Sequence, residues 1–175
     1  MKLGTLALVA FAGLTASLNM GCLLGCDPGN NSQRAPVEFA PATVQATRTP
    51  STCGVVDPAF TASDSFALEL DDGAGTDMQV TLAGAVEQEV VQPLMVNADG
   101  SAQSTDGSIR FAFANGSDPT ALEGFPVSSV VVTPTALPSS DGQQLGVELS
   151  VTYEDGRVLD QVYSGALQTV SFACK

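Results

Sequence analysis

The 175-residue sequence has no histidine and no tryptophan, only two tyrosines, and only six basic residues. Without histidine, no side chain has an ordinary pKa near neutrality. The usual general base of serine and cysteine hydrolases is therefore missing, as are the common zinc, copper and iron ligand sets. Its two lysines, Lys2 and Lys175, stand near the chain ends, which leaves serine–lysine and Schiff-base schemes only a terminal candidate. Nineteen acidic residues against six basic ones give a net charge of -13. Such a surface repels phosphate backbones and has no basic patch to hold them, so nucleic acid is not an expected partner. Few aromatic rings also means few platforms for sugar. Tyr153 shares the parity of Val147, Leu149 and Val151 and is expected to face a core, whereas Tyr163, on a strand of mixed pattern, is the candidate for an exposed ring.

Charge is absent from Leu3 to Gly25, a run preceded only by Met1 and Lys2. This matches the basic start and apolar middle of an export signal. A permanent membrane helix is the alternative, because about 20 apolar residues cross a bilayer. Gly4, Thr5, Gly13, Thr15, Ser17, Asn19 and Gly21 dilute the run, and its richest part is Leu6 to Leu14, which favours a cleaved signal.

The run closes on Leu23, Leu24, Gly25 and Cys26. Position by position, these four residues resemble the processing site of bacterial lipoproteins. Cys22 fits that pattern less well, because Asn19 stands at its Leu position. The resemblance covers the first 26 residues. It implies cleavage before Cys26, a diacylglycerol on its sulfur and a fatty acyl chain such as palmitate on the new amino group. The chain would then sit in the cell envelope, on the periplasmic or extracellular face, held to a membrane by lipid. Asp27 directly follows, which in enteric lipoproteins favours inner-membrane retention; other lineages do not follow that rule, so inner and outer membrane both stay open.

On this reading Cys22 leaves with the signal and Cys26 takes lipid, which leaves Cys53 and Cys174. An even pair in an oxidising compartment is expected to form a disulfide. It would close a loop of about 120 residues, worth roughly 4 to 5 kcal/mol in the chain-entropy model. Two unpaired buried cysteines are the alternative. Losing Lys2 leaves five basic against 19 acidic residues, or 5 - 19 = -14. Anionic head groups would repel such a body within a Debye length of about 10 Å, so the lipid must do the anchoring.

Three segments are expected: a signal peptide over 1–25, the lipidated cysteine with a disordered tether over 26–51, and a β-domain over 52–175. The tether reading rests on four prolines and no apolar periodicity between 27 and 51. From Thr52 the period becomes two. Phe66, Leu68 and Leu70 alternate with Ala67, Glu69 and Asp71, and Met78, Val80, Leu82 and Val86 share a parity. Ile109, Phe111 and Phe113 repeat the pattern, as do Leu145 to Tyr153. Further strands are predicted near Gln88–Val96, Val127–Thr133, Arg157–Tyr163 and Leu167–Cys174, with Pro93 pushing the first towards a sheet edge. Glycine-containing acidic turns separate them. Only DPTALEG, 118 to 124, reads as even one helical turn. The expectation is an all-β fold: a single antiparallel β-sandwich or small barrel of about seven to eight strands.

Asp71, Asp72 and Asp77 flank two glycines within seven residues and are the candidate calcium ligands, because hard cations prefer oxygen donors from flexible loops. Asp99 and Asp106 form a looser second candidate. The alternative is a plain acidic hairpin turn. Two carboxylates meeting in a pocket could hydrolyse glycosides. The overall expectation is a lipid-anchored, non-enzymatic envelope domain that binds a protein or polysaccharide or serves structurally, needing no cofactor beyond its covalent lipid. A sugar- or calcium-binding module is the second reading, and a carboxylate hydrolase the third.

Overall fold

A computed structural model describes residues 36–51, 60–114 and 126–169. The chain is all-β. Among the described residues, nine strands form one closed barrel: β1 Thr43–Thr49, β2 Ser65–Asp71, β3 Asp77–Ala83, β4 Gln92–Val96, β5 Ala102–Gln103, β6 Ile109–Ala114, β7 Val127–Ala136, β8 Gln144–Tyr153 and β9 Val158–Thr169. Around the wall their order is β1-β2-β3-β6-β5-β4-β7-β8-β9. The order 3-6-5-4 is a Greek-key excursion, in which β6 returns to pair with β3 and leaves β4 beside β7. All neighbours are antiparallel except β1 and β9, whose parallel pairing closes the circle. The all-β fold read from the alternation, a sandwich or small barrel, is what forms; it differs in having nine strands among the described residues instead of about seven to eight, and one parallel pair among antiparallel neighbours.

Alternation makes these strands. In β3, Met78, Val80 and Leu82 turn inward between Gln79 and Thr81, and in β8 Leu145, Val147, Leu149, Val151 and Tyr153 do the same. Their inward chains fill the barrel, so the interior is a packed core. Pro93 pairs with Val131 of β7, while β5 reaches only Met95 and Val96. β4 is thus inside the closed barrel, yet around Pro93 it has a strand neighbour on one side only among the described residues. That is where a missing N–H costs least.

The largest departure from expectation is at the start. Residues 37 to 49, read as tether, belong to the barrel. Val37 donates its N–H to Val158 O and bridges Leu159, Phe39 packs edge-on to Tyr163, and Ala46 and Arg48 turn inward from β1. The segment runs parallel to β9, and the folded body begins by Val37 instead of Thr52. Prolines misled the reading. Pro41 and Pro50 lie outside β1, where a strand tolerates them.

A second correction concerns β9. The two strands expected over 157–174 are one of twelve residues through Thr169, with Gly165 in its middle. A Cβ on Gly165 would stand 3.3 Å from both Ala46 Cβ and Val44 Cγ1. The glycine marks a close approach of β1, not a break.

The pairings sort the turns to two ends of the barrel. Beside the entry at Val37 lie the turns β2–β3, β4–β5 and β8–β9; at the opposite end lie β5–β6, β7–β8 and the connection from β3 to β4. The one-turn helix expected at 118–124 lies outside the described residues.

Candidate functional site

The calcium candidates sit on the β2–β3 hairpin, where Asp71 and Asp77 are cross-strand partners. Gly73 and Gly75 take φ of 71° and 104°, a left-handed backbone that admits glycine without strain. Asp71 Oδ1 accepts the Gly73 N–H at 2.6 Å, and Asp72 Oδ1 accepts those of Ala74 at 2.6 Å and Thr76 at 2.9 Å. The Thr76 and Ala74 N–H bonds hold the Asp72 carboxyl below its usual range. Asp99 is lowered in the same way by the hydroxyl and N–H of Ser101. Asp106 accepts from the Ser104 hydroxyl and from the hydroxyl and N–H of Ser108, which together bring it to about 2. These carboxylates serve as turn acceptors. Among the described residues no three acidic, cysteine or histidine side chains are grouped to hold a metal ion, and Asp99 and Asp106 lie in turns at opposite ends of the barrel.

The most constrained polar cluster was not foreseen. Arg48 points inward from β1 and is only 1% exposed, at the barrel end opposite Val37. Its Nε and Nη2 lie 3.0 and 2.7 Å from Asp64 Oδ2. The Phe60 ring covers the guanidinium, 4.0 Å from Cζ to centroid. Asp64 also accepts the N–H groups of Ser51 and Thr61 and the Thr61 hydroxyl. Burial pushes the Asp64 carboxyl up, but those two N–H groups, the guanidinium and the Thr61 hydroxyl outweigh it and hold the pKa near 2. Such a pair, with both charges hydrogen-bonded, fixes the approach of residues 60–64 to the barrel end. Gly84 completes the packing: its N–H donates to Asp64 O at 2.8 Å, and a Cβ there would lie 2.4 Å from Thr61 O. A lone arginine among threonines in β1 was the sequence signal, because a charge at an inward position requires a partner.

No family model, curated protein or solved structure matches this chain.

Tyr163, the ring left as a candidate for exposure, is buried. Its hydroxyl lies 2.6 Å from Gln161 Oε1 and 3.0 Å from the Phe39 carbonyl oxygen, so its single proton is shared between them. Burial raises its pKa to about 12. Tyr153 faces the core as expected. Three grooves on the described surface, of about 280, 440 and 230 Å³, are lined without any aromatic ring. The signal segment, Cys26, Cys53 and Cys174 lie outside the described residues, as do Cys22 and Asp27.

Proposed function

We infer that the chain is a lipid-anchored, non-catalytic binding or structural domain of a bacterial cell envelope, attached to its membrane through Cys26. Its location rests on Leu23, Leu24, Gly25 and Cys26 at the end of an uncharged run, preceded by Lys2. The observation that supports a non-catalytic role is the use made of the carboxylates. Asp72, Asp99 and Asp106 are held acidic by turn hydrogen bonds, and Asp64 is locked to Arg48. A general acid needs the opposite, a carboxyl raised towards neutrality. With no histidine in the chain, proton transfer near pH 7 has no ready carrier. The remaining surface is that of a stable scaffold with acidic loops, suited to recognition.

Intact mass and peptide mass spectrometry of protein purified from its native membrane tests this reading. The expected product begins at Cys26 and carries a diacylglycerol mass on that residue, and a Cys26→Ser variant leaves the membrane fraction. A chain that keeps its first 25 residues, or a bare Cys26 thiol, would contradict it.

A further inference from the structure

The geometry points to a docking surface on the barrel wall around β4 for an extended protein segment in which apolar and basic side chains alternate. This deepens the reading of a non-catalytic envelope domain and rests on it. Val91, Pro93 and Met95 share the outward parity opposite buried Leu94, and Val91 and Met95 are 62% and 53% exposed. With Val90 they form an apolar strip on a wall whose other outward positions are mostly Ser, Thr, Gln and carboxylates. The wall is also least covered here, since β5 pairs only with Met95 and Val96. In the opening beside Gln92 lies the groove of about 230 Å³, lined by Glu87, Asp106 and Ser108. All three of the Asp106 bonds fall on Oδ1, which leaves Oδ2 for a cation.

Charge selects the occupant. Removing Asp27, Asp57, Asp118 and Glu123 from the 19 acidic residues leaves fifteen carboxylates among the described ones, against three arginines. Of these, Arg48 pairs with Asp64 and Arg157 with Asp155. A second copy would bring an equally acidic wall against Glu87, Glu89 and Asp106, whereas a segment with basic residues between its apolar ones satisfies both the strip and the groove. The position suits an external partner. Glu87, Glu89, Val91 and Asp106 lie towards the end of the barrel opposite Val37, clear of the first described residues.

Two synthetic ten-residue peptides, one alternating lysine with valine and one alternating glutamate with valine, titrated into the full lipidated protein in detergent, test this. The lysine peptide should bind, with amide shifts confined to residues 87–95 and 104–108, and the glutamate peptide should not. Val91→Asp and Met95→Asp should each weaken binding about tenfold, the loss expected for one buried apolar side chain. This direction is decisive, because a purely electrostatic attraction would strengthen with an added carboxylate. Unchanged or tighter binding by these variants, no binding of the lysine peptide, or self-association of the protein abolished by Val91→Asp would each overturn the proposal. The Cys26 mass is read on the same sample. Bare thiol with intact peptide binding defeats the location reading and leaves this one standing.

Discussion

Arg48 and Asp64 form a buried, hydrogen-bonded ion pair. Removing one member of a buried, hydrogen-bonded pair leaves the other charge without compensation, at a cost of about 3 to 5 kcal/mol. Arg48→Ala should therefore lower the unfolding free energy by about that much in a urea titration. Acid should act through the same pair. The Asp64 carboxyl titrates near 2 in the folded protein and at 3.8 in an unfolded chain. A group with a depressed folded pKa contributes stability that is fully present above the unfolded value and is lost as pH falls towards the folded one. Unfolding measured between pH 5 and pH 2 should show that loss from about pH 4 downward. Asp64→Asn should be less stable at neutral pH and should lose the part of the acid slope that belongs to this carboxyl. An unaltered slope in the variant would assign acid sensitivity to other groups.

At the scale of elements, the seam between β1 and β9 decides the architecture. Gly165 lets the two backbones approach, and a valine there would push against Ala46 and Val44. Gly165→Val should destabilise the protein by about 1 to 3 kcal/mol, with early loss of amide protection in β1. The strands with strict alternation were legible from sequence: β2, β3, β6 and β8 lie where Phe66, Met78, Ile109 and Leu145 begin their period of two. β1 was not legible. Its buried positions are Ala46 and Arg48, a pair with little apolar signal whose burial depends on partners more than 100 residues away in β9. The division expected between Tyr163 and Leu167 failed for a related reason, because the close approach of β1 that Gly165 admits is a tertiary fact. The acidic turns were read correctly as turns. What sequence could not give was the use of each oxygen, which depends on the turn geometry around it.

At the scale of the molecule, the early start of the barrel shortens the stretch between Cys26 and the folded body. The tether read to Ser51 would have reached roughly 80 Å. Between Cys26 and Val37 lie residues 27 to 36, ten residues that span at most about 36 Å. A lipidated Cys26 would hold the body close to the bilayer, and the end nearest the entry carries Asp71, Asp72, Asp77, Asp99 and Glu154 in its turns. Such charges repel anionic head groups within about a Debye length. The expected Cys53–Cys174 pair belongs to this scale too, since it would join the segment after β1 to the chain beyond β9. Alkylation of the purified protein without reductant should leave both thiols unlabelled, and labelling should follow reduction. Two readily labelled thiols in the native protein would show that the barrel closes without the bridge.

Hydrogen exchange of the full chain, read peptide by peptide over residues 37–49, tests the closed barrel most directly. The structure predicts that Thr43–Thr49 exchanges as slowly as β2 and the second half of β9, and that all three lose protection together in denaturant. Exchange over 43–49 at the rate of a free peptide, with β2 and β9 still protected, would contradict it. The domain would then be an open sheet on a long tether.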